Sequence, residues 1–265
     1  MNIGFLGAGN MGGAILRGFV ASKKPTDNIF VFGVNHEKLK KTCAETGATP
    51  CTEIEDLVEK CDLFFIGVKP KIFQEVLPKV KKAYTKDKIC VSMAAGISIG
   101  YIESFLGDDA CIVRIMPNTP AQVGEAMTSV SYNKNITEEK LLPVMEILQG
   151  IGKAEIVHES LIHTVIGVSG SSPAYTYMYI DGLIKAAIKE GMEPEKAKVF
   201  AAQSVLGAAK MVLENNITPE ELRIKVCSPG GTTIEAVEKL QQLDFENIVG
   251  EGFKAASDKS RLMEK

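Results

Sequence analysis

The chain has 265 residues, of which 45% are apolar and 24% charged, and its formal net charge is −3. That balance belongs to a globular protein that buries its core without disulfide staples, and it excludes a strongly basic nucleic-acid binder and a disordered acidic chain. The six cysteines, Cys43, Cys51, Cys61, Cys90, Cys111 and Cys227, form no C-x-x-C pair and read as reduced thiols.

In chain order, short β-branched runs alternate with amphipathic helical stretches. Strands are expected at 3–6, 29–34, 63–68, 89–93 and 111–115, and helices at 11–22, 37–45, 71–84 and 99–105. Such alternation implies right-handed crossovers and a mostly parallel sheet. The runs at 63–68 and 89–93 are apolar almost throughout, as central strands covered on both faces must be. A further strand pair, 126–132 and 154–157, flanks a helix at 138–149.

After His158 strand signals stop. Helices follow at 172–190, 194–215, 219–226, 232–240 and 247–263, with Pro194 and Pro219 in first-turn positions and Gly191 as a stop. The expected class is α/β, with an N-terminal Rossmann-type NAD(P)-binding domain at 1–158 and an all-helical domain at 159–265. The helices at 173–190 and 199–212 are apolar on more than one face, which points to packing against a second subunit. The first strand is expected from Asn2, so no targeting segment is expected before it, and no apolar run is long enough to span a bilayer. A soluble, cytoplasmic protein is expected, with neither membrane nor nucleic acid as its partner.

Gly7, Gly9 and Gly12 form G-x-G-x-x-G, with Ala8, Asn10 and Met11 between them, directly after a strand and opening a helix. Gly7 permits a tight turn, Gly9 lets the backbone approach a pyrophosphate, and Gly12 lets the helix pack on the strand. The helix N-terminus offers free N–H groups to the phosphates. Where an NAD site usually carries a carboxylate, the second strand leads into Asn35, with His36 and Lys38 nearby. A neutral residue beside bases accepts a 2′-phosphate, which favours NADPH over NADH; Asn35 also suits a helix cap. Val68, Lys69 and Pro70, and Ala94, Ala95 and Gly96, lie at carboxyl ends of parallel strands, where such sheets bind ligands.

These residues, together with Arg114-Ile-Met-Pro-Asn-Thr-Pro120, Gly170-Ser-Ser-Pro-Ala-Tyr175 and Val226-Cys-Ser-Pro-Gly-Gly-Thr-Thr-Ile-Glu-Ala-Val237, resemble the pyrroline-5-carboxylate reductase family over nearly the whole chain. The resemblance implies that the helical domain is a dimerisation domain building an intertwined homodimer, and larger rings of dimers occur in the family. It implies NAD(P)H-dependent reduction of 1-pyrroline-5-carboxylate to L-proline. Two positions depart from the family pattern: Ser172, where glycine is usual, and Lys225, where a polar amide is more familiar.

A cyclic imine with one carboxylate poses two tasks: holding the carboxylate and presenting the imine carbon. Ser228, Gly230, Gly231 and Thr232 precede or open a helix. Alone, that segment reads first as a capped interhelix turn; beside the resemblance it reads as a carboxylate cradle. The resemblance makes Thr233 the hydrogen-bond partner of the ring nitrogen, with Asn118 and Ser171 lining the same cleft. His36, His158 and His163 are scattered and read as structural or exposed, and no metal-ligand spacing appears. Two rivals remain. A 3-hydroxyacid dehydrogenase would need a lysine on the first interdomain helix, whose first three turns hold none. A non-catalytic NADP-binding protein would share the fold without the chemistry.

Overall fold

The computed structural model describes residues 1–22 and 28–265. The amino-terminal part runs β1 (Asn2–Leu6), α1 (Asn10–Ser22), β2 (Asn28–Phe32), α2 (His36–Thr46), β3 (Thr49–Pro50), α3 (Ile54–Lys60), β4 (Leu63–Ile66), α4 (Phe73–Ala83), β5 (Ile89–Ser92), α5 (Ile99–Leu106) and β6 (Cys111–Met116). It continues through β7 (Ala126–Tyr132), α6 (Glu138–Gln149) and β8 (Gly152–Ile156) to the short helix α7 (Ile162–Val165). The strands form one sheet in the order β3-β2-β1-β4-β5-β6-β7-β8. Every pairing is parallel except β6 with β7.

Side-chain alternation sends each strand's residues to two cores. Phe5, Phe65, Val91 and Val113 pack on one face under α1 and α6. Phe64, Ile66, Cys90 and Ile112 pack on the other with α3, α4 and α5. Phe5 stacks on Phe65 at 5.0 Å between centroids. Each such buried side chain stabilises the fold by roughly 1.5–3 kcal/mol relative to exposure, which is why the apolar runs take the sheet centre.

The expected strands at 29–34, 63–68 and 89–93 end earlier, at Phe32, Ile66 and Ser92, because each chain turns out of the sheet to line its carboxyl edge. The expected helix at 71–84 begins as a 3₁₀ turn, Pro70–Ile72, and becomes α-helical at Phe73. Sequence reading missed β3 and α3. A two-residue strand has no period to detect, but Ile54, Leu57 and Val58 do carry the helical spacing and are all buried.

Five helices follow: α8 (Ser172–Lys189), α9 (Pro194–Glu214), α10 (Pro219–Val226), α11 (Thr232–Gln242) and α12 (Phe245–Met263). The α10 cap is reciprocal: Thr218 accepts from Glu221 N–H and the Glu221 carboxylate accepts from Thr218 N–H. The chain divides into two compact units, one of Met1–Ser171 with Ala256–Lys265 and one of Ser172–Ala255. In the second unit α8 and α9 pack together, yet no residue of α8 is buried, and Met178, Val199 and Phe200 are 75%, 62% and 65% exposed. So large an apolar surface on a single chain marks a protein–protein contact, in line with the expectation of a second subunit.

Candidate active site

The glycine loop leaves β1 at the point where strand order reverses, between β2 and β4. Gly7 adopts φ +95° and donates its N–H to Phe32 O at 2.9 Å, while Gly67 N–H donates to Leu6 O at 2.9 Å. The two loops touch so closely that a Cβ on Gly67 would lie 2.6 Å from Gly7 O. A Cβ on Gly12 would penetrate the same carbonyl oxygen, so the third glycine of the motif seats α1 against the loop. A Cβ on Gly9 would meet nothing within 4 Å. It would project into open space at the start of α1, which is the space a pyrophosphate needs. Asn10 opens α1, and Met11 packs against the core beneath it.

A cavity of about 160 Å³ runs from Gly7, Ala8 and Gly9 to Val34, Asn35 and Lys38. Val34 is 88% exposed, an apolar face free to lie under a base. Asn35 caps α2, its Oδ1 accepting from Lys38 N at 2.9 Å. Asn35→Asp keeps that cap, since aspartate caps equally well, and adds a negative charge. It is expected to shift cofactor preference from NADPH toward NADH by about tenfold, the scale of ~1–2 kcal/mol of like-charge repulsion near a surface. An unchanged ratio of the two dissociation constants would remove Asn35 from the 2′-phosphate pocket.

Ala94, Ala95 and Gly96 follow β5, and a second cavity of about 300 Å³ opens there, lined by Ala95, Gly96, Met116, Ser171, Lys259 and Met263 among others. Lys69 and Pro70 stand at the neighbouring carboxyl end of β4, Lys69 exposed and Pro70 opening the 3₁₀ turn; Val68 packs on the core. The wall carrying Ser171 is a π-helical turn, Ile166–Gly170, closed by Ser171 N–H donating to Ile166 O at 2.8 Å. Such turns concentrate at functional sites, and nothing in the sequence period announced this one. Asn118 holds it: Nδ2 donates to Ser169 O at 3.0 Å, and Oδ1 accepts from Met127 N at 3.0 Å. Both ends of the Asn118 amide are thus committed to backbone, while Ser171 faces the cavity.

A buried ion network that sequence reading missed braces the Ala94–Gly96 loop. Arg114, 2% exposed, lies within the apolar strand β6 and donates from Nη1 to Glu159 Oε1 at 2.7 Å and Glu264 Oε1 at 2.9 Å. Glu159 also accepts from Ile99 N–H at 2.8 Å. His163 joins Ser260 Oγ at 2.9 Å and Glu264 Oε2 at 3.0 Å. Lys265 N–H donates to Gly96 O at 2.8 Å, and Ser98 Oγ donates to Lys265 O at 2.7 Å. A Cβ on Gly96 would lie 2.6 Å from Met263 O, so only glycine admits the carboxyl-terminal segment here. An arginine inside an otherwise apolar strand was the available sequence signal, because a buried charge must be paired.

In the second unit, Gly230 adopts φ +69° and Gly231 N–H is taken by Ser228 O at 3.0 Å. The α11 helix then starts with Gly231 at its cap and no side-chain cap bond. Its first N–H groups lack intrahelical partners. The segment is therefore a turn, as its composition allows, but the serine and threonine hydroxyls do not consume the helix donors. Thr233 is exposed in the first turn of α11. Burial pushes the Cys51 thiol up to about 11 and the Cys61 thiol up to about 12, which leaves these two protonated.

Residues 159–263 match the family model described as pyrroline-5-carboxylate reductase dimerisation, and residues 2–96 match that of NADP oxidoreductase coenzyme F420-dependent. The pyrroline-5-carboxylate reductase of Escherichia coli is 42% identical over 264 residues, covering 99% of this chain and 98% of the relative. The solved pyrroline-5-carboxylate reductase of Coxiella burnetii superposes with a TM-score of 0.93 at 30% identity, covering 100% of this chain and 98% of the other. The pyrroline carboxylate reductase of Plasmodium falciparum, solved with NADP bound, superposes with a TM-score of 0.89 at 29% identity over 100% and 98% of the two chains.

Proposed function

The chain belongs to the pyrroline-5-carboxylate reductase family, and from that premise we propose that it reduces 1-pyrroline-5-carboxylate to L-proline, the last step of proline formation, with NADPH as donor and NADH as the alternative. The observation that carries this reading is the uncapped start of α11 behind Ser228, Gly230 and Gly231. A row of free amide donors at a positive helix end suits the single carboxylate of this substrate.

The cofactor supplies a hydride from its nicotinamide when bound. Gly7, Ala8, Gly9, Asn10 and Gly12 would hold its pyrophosphate, and Asn35 its adenosine ribose. Val68, Lys69, Pro70, Ala94, Ala95 and Gly96 would hold its nicotinamide half. The open space at Gly9 and the apolar face of Val34 fit the group. The protein's own part is to bind, orient and hold a proton in place. Thr232 and Thr233 amides with Ser228 would take the carboxylate. The Thr233 hydroxyl would hydrogen-bond the ring nitrogen, keeping the imine protonated and therefore electrophilic. Ser171 would line the pocket, and Asn118 would set the turn that carries it. A base to take a hydroxyl proton, which an alcohol oxidation requires, is not needed for this reaction.

Thr233→Ala is expected to lower turnover by about 10²-fold, the lower end of what a positioned proton partner contributes, with NADPH affinity within about twofold of the parent. A large loss of NADPH binding would place Thr233 in the wrong site. The reading as a whole is tested by following nicotinamide absorbance with pyrroline-5-carboxylate added. Imine-dependent oxidation supports it. Silence in folded protein that binds NADPH would favour a non-catalytic NADP-binding protein.

The exposed apolar faces of α8 and α9 are proposed as the contact of a homodimer, and a ring of such dimers as the larger assembly. Light scattering that returned a single-chain mass would sink both. Six free thiols, four of them buried, fit the reducing cytoplasm, where the protein is proposed to act.

A further inference from the structure

The mouth of the glycine loop carries more positive charge than the loop itself requires. A cavity of about 350 Å³ adjoins the adenosine pocket and shares Ala8, Gly9, Lys38 and Thr42 with it, while Arg17 and Lys41 bring their charges to its far side. Three cations on two helices, with the Glu45 carboxylate beside Lys41, thus line one cup next to the expected ribose.

Arg17 reaches the cup by a route the sequence prepares. It sits one turn after Gly13 on α1, and its Nη1 lies 3.3 Å from where a Cβ on Gly13 would stand. The guanidinium is folded back toward the start of the helix, as helical side chains lean, over a position left bare. Among the described residues neither Arg17 nor Lys38 makes an ion pair. Lys41 stands 3.9 Å from Glu45, an exposed contact of little strength. Asn35 lines the adjoining adenosine cavity, where its Oδ1 is spent on Lys38 N–H. Arginine's fork and an ammonium make a fitting pair for a phosphate dianion.

We infer that Arg17, with Lys38, holds the 2′-phosphate of NADPH, and that Arg17 is the residue that sets the preference for NADPH over NADH. The inference rests on the nicotinamide-cofactor reading above. Gly9 and Asn10 line the cup on the side where the pyrophosphate would sit, and Lys38 and Lys41 line it on the α2 side, where the ribose would lie.

Calorimetric titration of 2′,5′-ADP and 5′-AMP separates the two phosphates without turnover, because the ligands differ only in the 2′-phosphate. The parent is expected to bind 2′,5′-ADP at least about tenfold more tightly. Arg17→Gln should weaken 2′,5′-ADP by about tenfold, ~1.4 kcal/mol, and leave 5′-AMP within about twofold. NADPH should weaken in parallel while NADH does not. Arg17 is exposed, so a melting curve matching the parent confirms an intact fold. Equal losses for both fragments would assign Arg17 to the 5′-phosphate and overturn the inference, as would no loss for either. A parent protein that binds neither NADPH nor NADH would overturn the cofactor reading itself.

Discussion

Arg114→Leu is expected to destabilise the protein by about 2–4 kcal/mol and to lower the melting temperature by about 10 °C. The substitution leaves Glu159 and Glu264 facing a partly dry site without the guanidinium that pairs them at 2.7 and 2.9 Å. Most of the cost is the uncompensated charge, not the lost attraction. The figure lies below that of fully buried pairs because the two carboxylates keep 29% and 31% exposure. A double variant, Arg114→Leu with Glu264→Gln, should therefore recover part of the loss.

The same network predicts a pH dependence. Burial alone would raise the Glu264 carboxyl, but the hydrogen bond and charge of Arg114 and the charge of His163 outweigh it, and the group is held below the usual carboxylate range. A depressed folded value contributes stability above the unfolded value, about 4.3, and that contribution is lost as pH falls through the folded one. The gap in melting temperature between parent and Arg114→Leu should narrow below about pH 4. NADPH should also bind the variant less tightly, since the network braces the loop at Gly96. A variant melting within a degree or two of the parent at neutral pH would show that backbone bonds alone hold the loop.

Gly9→Val and Gly12→Val are expected to lose NADPH binding by more than about 100-fold each, but for different reasons that stability separates. A Cβ at Gly9 meets no protein atom within 4 Å, so the fold should melt as the parent does. The loss there comes from filling the phosphate space. A side chain at Gly12 runs into the Gly7 carbonyl oxygen and drives α1 off the loop. Overpacking against backbone costs about 1–3 kcal/mol or more, so this variant should also melt several degrees lower. Titration with NADPH beside a thermal melt reads both. Unimpaired NADPH binding in Gly9→Val would put the cofactor elsewhere, and an unchanged melt in Gly12→Val would mean that α1 can yield without cost.

Local chemistry made much of the molecule readable from residues alone. The alternation of apolar runs with amphipathic stretches dictates a mostly parallel sheet, because period and burial are properties of consecutive residues. The glycine pattern marks the loop proposed to hold the cofactor for the same reason: the turn, the close approach and the helix seat are each demanded within six positions. The segment from Ser228 to Thr233 was legible as a turn opening a helix, and the resemblance supplied its chemistry. Even the second subunit was implied, since α8 and α9 carry more apolar surface than one small helical unit can cover.

Only the tertiary structure decided what lies far apart in the chain. Arg114, Glu159, His163 and Glu264 have no shared spacing, and a charge in an apolar strand says that a partner exists without saying which. The carboxyl-terminal residues were expected only as a helix end, yet they close over Gly96 and make its glycine obligatory. The π turn before Ser171 is tied by Asn118, whose amide is committed at both ends across 51 and 9 residues, a constraint no local period encodes. Arg17 carries no local signal in the sequence; its nearness to Lys38 and Lys41 appears only once α1 and α2 lie side by side. Sequence settles what neighbours along the chain can form, whereas charge pairing and cavity walls are settled by neighbours in space.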